Sequence, residues 1–421
     1  MDLLKKIELR VAALEVLLQN MYAKYFIENY HFPIVEANNS LSRARDGEYH
    51  IASLHGAVDE NTAMLVKELV VDFFGNNLSI VTTMQNHLRV AATNEDFSHN
   101  VWYKFFAREF GQCTVTELSE VEVQSSDLVR RIWINDGTEN KSFIIKELPD
   151  NELRRHIVKA YSLFDREICF YQKVAPRDSV AAPKLLDCAV EPPYLILEDL
   201  GHYIAGDQEF GYTIEEAKSV IDKIADFHAF WLDDAELETL PVPRVNNDLI
   251  SSAMPAMLDD AWKKLSGLFN ESLGYDAGYY VKNLISNIKS ITEVLCKDKI
   301  SLLHGDLRLD NILFEKYDAK CFLDWQMMAI GSPMVDIAYF VSQSGTPECQ
   351  KDVRDYAFRV YAEKIYNGDT DRIKQEYRNA LLFNLSTPIF AALGDVSVNH
   401  NVREIVTEAF SRAMTHIRLE A

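Results

Sequence analysis

The run Leu303-His304-Gly305-Asp306-Leu307-Arg308-Leu309-Asp310-Asn311-Ile312-Leu313-Phe314, followed by Phe322-Leu323-Asp324-Trp325, constrains the fold of this chain more than any other stretch. Ile312-Leu313-Phe314 and Cys321-Phe322-Leu323 are short apolar runs, and the polar residues Glu315 to Lys320 between them predict a tight antiparallel hairpin. Asn311 immediately precedes the first run and Asp324 immediately follows the second, so pairing brings both to one open end. Two hard oxygen ligands on neighbouring strand ends, completed by water and phosphate oxygens, suit Mg²⁺. Asp306, on the loop that leads into the hairpin, is a carboxylate placed to accept a hydroxyl proton.

This spacing resembles the kinase catalytic loop, H-x-D followed by four residues and Asn, with a metal-binding Asp downstream. Gly305 stands where protein kinases carry Arg, Asp324-Trp325-Gln326 replaces D-F-G, and no A-P-E triplet follows. With H-G-D-L-R-L-D-N and the later Gly331-Ser332-Pro333-Met334-Val335-Asp336-Ile337-Ala338-Tyr339-Phe340, the chain more closely resembles the aminoglycoside phosphotransferase and choline kinase superfamily. Within it the likeness is to the ecdysteroid-kinase-like branch and to phosphotransferase domains fused to some acyl-CoA dehydrogenases. The resemblance covers Val115 to Phe340 and implies an α+β, bilobal protein-kinase-like fold with an antiparallel-sheet amino-terminal lobe and a helical carboxyl-terminal lobe. It also implies ATP as donor, Mg²⁺ as its companion and a small-molecule hydroxyl as acceptor. Asp306 would be the catalytic residue, and Asn311 and Asp324 the metal ligands.

Upstream, Val115 to Val123, Leu128 to Asn135 and Ser142 to Leu148 read as strands, with Asn135-Asp136-Gly137 as a hairpin turn. A strand lysine is usually a solvated edge residue, but the resemblance gives Lys146 the α- and β-phosphates of the nucleotide. Glu167, in the helix around Phe164 to Tyr171, resembles the glutamate that fixes that lysine; a surface carboxylate pairing along its own helix fits the same residue. The strand Pro193 to Gly201 resembles the hinge between lobes, where backbone groups near Glu198 and Leu200 would read the adenine edge. The phosphate-covering loop departs from the kinase pattern, because no glycine lies between Gly111 and Gly137. Ser125 and Ser126 occupy its turn and can donate both hydroxyl and N–H to phosphate, although a plain polar turn accounts for them equally well.

Thr213-Ile214-Glu215-Glu216 is a capping box opening a long helix, and His228 within that helix reads as a packed core residue. Asp336 follows a proline and opens an apolar helix, a placement suited to bracing the Asp306 loop through backbone N–H groups. Later helices span Glu348 to Tyr366, Asp371 to Leu393 and Asn401 to Leu419, with Pro388 predicted to kink the second.

A chain of 421 residues accommodates several domains, read here as a helical accessory domain over 1–110, an amino-terminal lobe over 111–200 and a helical lobe over 201–421. Leu4, Ile7, Val11, Leu14, Leu18, Met21 and Tyr25 form one helical stripe, able to pair two copies as a homodimer or to pack within its own domain. Asp59 to Phe74 reads as a second amphipathic helix. A net charge of −21 disfavours nucleic acid and anionic membrane as partners. Six scattered cysteines without C-x-x-C, no signal-peptide pattern at the amino terminus and no apolar run of roughly 18 residues point to the cytoplasm. Besides the small-molecule kinase, two other readings stay open: a nucleotide-binding pseudokinase that recruits partners, and nucleotidyl transfer on the same fold.

Overall fold

The structure, a computed structural model, describes residues 100–111, 113–121, 128–149, 152–177, 180–208, 210–273, 276–395 and 400–420. The amphipathic stripe proposed for dimerisation, the helix over 59–74, and Ser125 and Ser126 lie outside the described residues. What is described divides into two compact units, one containing 100–161 and Pro183–Ile204, the other Ser162–Ala182 and Ala205–Glu420.

The first unit is an antiparallel sheet of five strands, β1 (Thr114–Glu120), β2 (Leu128–Asn135), β3 (Asn140–Glu147), β4 (Leu185–Val190) and β5 (Pro193–Glu198), in the order β1-β2-β3-β5-β4. Alternation drives it: Val129, Ile132 and Ile134 of β2 and Phe143 and Ile145 of β3 are buried while most of their neighbours remain partly exposed. The turn between β2 and β3 forms at the expected Asn-Asp-Gly, with Gly137 at φ 89°. There the Asp136 carboxylate accepts from Lys141 and from the Thr138 and Glu139 N–H groups, which holds it well below the usual carboxylate range. A short helix, α1 (Tyr103–Phe110), lays Trp102, Phe105 and Phe106 against Ile132, Ile134, Phe143 and Ile145. Each such aromatic contributes roughly 2–3 kcal/mol of apolar burial, so α1 is integral to the core of this sheet.

The second unit is mainly helical. It starts with α2 (Leu163–Cys169), continued by a wider turn over Phe170–Val174, and α3 (Ile214–Phe230) comes next. The capping box at α3 forms in full: Thr213 Oγ1 accepts from Glu216 N, and the Glu216 carboxylate accepts from Thr213 N. Beyond it come α4 (Met254–Leu273), α5 (Ala277–Leu295), α6 (Met334–Ser344), α7 (Pro347–Lys364), α8 (Thr370–Asn384), α9 (Ser386–Asp395) and α10 (His400–Glu420). Pro388 does more than kink the predicted helix. The chain breaks at Leu385 and restarts, placing the proline in the first turn of α9, where a missing N–H leaves no helical bond unmade. Small pairings sit among the helices, including β6 (Ser301–Leu303) with β9 (Ala329–Gly331), and the hairpin of β7 (Ile312–Glu315) and β8 (Asp318–Phe322). No helix of the described residues is long and apolar enough to cross a membrane.

Buried His416 links three of these helices. Gln350 Nε2 donates to the Ser342 and Gly345 carbonyls, so its Oε1 must accept from His416 Nδ1, leaving His416 Nε2 to accept from the Tyr377 hydroxyl at 2.7 Å. Burial, with Arg354 adding to it, pushes the imidazole down to about 4. The unfolded chain therefore binds a proton below about pH 6.5 that the folded chain refuses until about 4. Stability contributed here is complete above that window and falls as the pH drops through it, by up to about 1.4 kcal/mol per pH unit. Urea titrations at pH 7, 6 and 5 should show this slope, and His416→Gln should flatten it. An unchanged slope in the variant would refute the assignment.

Candidate functional site

The loop from His304 to Asn311 is fixed by one buried carboxylate. Asp336, in the first turn of α6, accepts from the His304 N–H at 2.7 Å through Oδ2 and from the Gly305 N–H at 2.9 Å through Oδ1. His228 of α3 adds its Nε2 at 3.1 Å, and its Nδ1 meets the Tyr361 hydroxyl at 2.7 Å. Burial alone would raise the Asp336 carboxyl, but His228, His304 and the Gly305 N–H outweigh it and hold the group below its ordinary value. Asp336 braces the loop as its sequence context predicts, and His228 is a buried core residue that serves it.

His304 carries this anchoring onward. Its fully buried ring accepts the Asp306 N–H at Nδ1 (3.2 Å) and donates from Nε2 to the Leu323 carbonyl (2.9 Å). An amide can only donate and a carbonyl only accept, so the ring is neutral with its proton on Nε2, in keeping with the downward pull of burial. Gly305 comes next at φ 82°, and a Cβ there would run into the Met327 carbonyl. That close approach explains why glycine stands where protein kinases have arginine.

Asn311, 6% exposed, turns its Nδ2 to the Asp306 carbonyl oxygen (2.9 Å) and to Asp306 Oδ2 (3.0 Å), which leaves its Oδ1 as the atom able to accept or ligate. The hairpin pairs Ile312 with Phe322, and the Leu323 N–H donates to the Asn311 carbonyl at 2.8 Å. Asp324, the next residue, is consequently set beside Asn311. It adopts left-handed backbone, φ 61°, and its Oδ2 accepts from Gln326 Nε2 at 3.0 Å. Trp325 anchors the turn beyond it: fully buried, it stacks on Phe170 at 3.9 Å and 7°, and its Nε1 donates to the Phe322 carbonyl. Asp306, Asn311 and Asp324 are thereby brought to one end of the hairpin.

Among the described residues no group of three or more His, Cys, Asp or Glu side chains is arranged to hold a metal. Asp324 and Asn311 at the hairpin end instead offer one carboxylate and one amide oxygen. Such an all-oxygen, incomplete set fits an ion that keeps waters and binds substrate phosphates, as Mg²⁺ does.

Lys146 lies on β3, the central strand, between Val129 and Leu195, and is 5% exposed, so it is no solvated edge residue. Glu167, on α2 of the second unit, is fully buried rather than on a surface. Glu198 closes its own sheet: its N–H donates to the Lys184 carbonyl, and its carboxylate accepts the Lys184 N–H. The Leu200 carbonyl accepts from the Tyr203 N–H in the turn after β5. Motif spacing alone misses Asp310 and Tyr339, both drawn into the Asp306 environment. The available signal for Tyr339 was its place three residues after Asp336, on the same face of an apolar helix.

An antiparallel sheet together with a helical unit that carries this loop and hairpin defines a protein-kinase-like phosphotransferase fold. A family model described as the ecdysteroid kinase-like family matches residues 129–370, more than half of the chain, and the chain belongs to that family. Acyl-CoA dehydrogenase family member 10 of Mus musculus is 42% identical over 45 residues, 10% of this chain and 4% of that protein. Family member 11 of Homo sapiens is 45% identical over 42 residues, 10% of this chain and 5% of that protein. The match therefore spans only a small part of these relatives. Among solved structures, a macrolide 2'-phosphotransferase type I aligns with TM-score 0.50 and 13% identity, covering 75% of this chain and 97% of that one. Plasmodium vivax ethanolamine kinase aligns with TM-score 0.49 and 12% identity over 81% and 95%. At 13% identity the likeness to the macrolide 2'-phosphotransferase is one of fold.

Gly305→Ala should destabilise the protein by roughly 2 kcal/mol or more, because the new methyl meets backbone that another backbone segment holds in place. Urea unfolding measures this, and a variant with the parent's midpoint would refute the close approach.

Proposed function

We propose that this chain is an ATP- and Mg²⁺-dependent kinase that moves the γ-phosphoryl group to a hydroxyl of a small molecule. The observation that carries the reading is the Asp306–Asn311 contact at the end of a hairpin whose register sets Asp324 alongside. Membership of the ecdysteroid kinase-like family supports the reaction class.

Asp306 orients the acceptor hydroxyl. As its oxygen bonds to the γ-phosphorus, the bond to the β,γ-bridging oxygen breaks and the electron pair leaves with ADP. The hydroxyl proton passes to an Asp306 carboxylate oxygen and from there to solvent. Asn311 Oδ1 and the Asp324 carboxylate would hold Mg²⁺, which when bound neutralises charge on the phosphates. Lys146 would take the α- and β-phosphates, with Glu167 as the carboxylate that positions it. Ser125 and Ser126 would cover the phosphates, and backbone near Glu198 and Leu200 would meet the adenine. Positioning and charge neutralisation supply most of the rate in this reaction class. The net charge of −21 sets nucleic acid and anionic membranes aside as acceptors, and six free cysteines suit the reducing cytoplasm.

Asp306→Asn should lower turnover by roughly 10²- to 10⁴-fold with little change in Mg·ATP affinity. Asp324→Ala should weaken Mg·ATP binding itself. Calorimetric titration with Mg·ATP, together with an ATP-consumption screen across alcohols, amino alcohols and polyols, tests both. Variants that bind and turn over like the parent would sink the reading.

A further inference from the structure

Asp306 is held by more than its motif supplies. Besides Asn311, Arg308 Nε lies 3.3 Å from Asp306 Oδ2. Arg308 also reaches Asp310 Oδ2 at 3.7 Å, and Asp310 Oδ1 accepts the Gln208 N–H at 3.0 Å. The segment bearing Gln208 is itself pinned to the loop. The Gly206 N–H donates to the Ile312 carbonyl at 2.9 Å, and a Cβ on Gly206 would come within 2.6 Å of the Leu309 carbonyl oxygen. Arg412 of α10 then binds the Gln208 carbonyl and that of Gln343. A continuous line of contacts runs from the last helix through Gln208, Asp310 and Arg308 to the Asp306 carboxylate.

An aspartate side chain turns about two bonds, and a carboxylate aimed wrongly by an ångström loses much of its catalytic effect. Burial alone would lower the Arg308 guanidinium, but Asp306 and Asp310 outweigh it and keep it charged. With its fork engaged by two carboxylates, Arg308 is suited to bracing rather than to reading an anionic acceptor.

We propose that Arg308 is a positioning residue for phosphoryl transfer, which fixes the Asp306 carboxylate in its working orientation by bridging it to Asp310. The inference rests on the phosphotransferase reading above.

The test is slow Mg·ATP hydrolysis, in which water takes the acceptor's place, so no substrate need be known. Arg308→Met should lower kcat by roughly 10- to 100-fold, with the KM for Mg·ATP nearly unchanged. Arg308→Lys should recover part of the loss. Placed in an Asp306→Asn background, Arg308→Met should not slow hydrolysis further, because it acts through that carboxylate. Equal slowing in both backgrounds, or a raised KM at unchanged kcat, would overturn the inference, since the residue would then touch nucleotide or acceptor directly. A parent protein that neither binds nor hydrolyses Mg·ATP would overturn the phosphotransferase reading and this inference together.

Discussion

Everything at the hairpin end depends on the Asp336 carboxylate accepting three N–H groups in a place water does not reach. Removing an ionised carboxylate from water costs several kcal/mol, and only donors with good geometry offset it. The dependence is mutual, because the His304 and Gly305 amides would otherwise be buried without a partner. Position in the first turn of α6 adds the favourable end of the helix dipole. From this one anchor the order propagates: His304 is set by Asp336, and its ring then sets the Asp306 backbone and the residue just before Asp324.

The segment after Asp324 is held equally firmly, which separates this protein from kinases that switch by moving a phenylalanine there. Trp325 stacks on Phe170, lies 4.5 Å from the His304 ring and donates its indole N–H to the Phe322 carbonyl. Withdrawing the indole would forfeit the stack and bury or expose an unmatched donor, a loss on the order of several kcal/mol. Gly305 reinforces the arrangement by letting the Met327 backbone approach where a side chain would block it. The tryptophan and the glycine, each a departure from the protein-kinase pattern, are two halves of one packing solution.

What could be read from sequence was whatever depends on local spacing. The hairpin, the strand pattern over β1 to β3, the capping box at Thr213 and the bracing role of Asp336 all derive from periodicity, turn chemistry or placement at a helix start. The break at Leu385 was blurred into a kink, because propensity marks where a helix cannot continue but not whether neighbours let it restart. The packing of α1 on the sheet was not legible either, since a short aromatic helix carries no sign of its partner surface. Gln208 escaped for a related reason. Its bearing on the Asp306 loop comes through a contact to Asp310 about a hundred residues away, and no spacing rule reaches that far.

The charges around Asp306 also say something about the order of events. Asp306, Asp310 and Asp324 surround a single guanidinium, Arg308, and leave the hairpin end with net negative charge. On the proposed reading, a polyphosphate approaching that surface alone would be repelled at short range, where screening by salt is weakest. On the same reading, phosphates paired with a divalent cation would be attracted, since Asn311 Oδ1 and Asp324 would supply ligands that a bare phosphate cannot use. Backbone strain at Asp324 belongs to the same logic. A left-handed aspartate costs about 1–3 kcal/mol, and it persists because the Trp325 stack and the Gln326 amide over-determine it. The Asp324 carboxylate is therefore set by the folded chain beforehand, so any ligand it takes need not supply the energy to turn it into place.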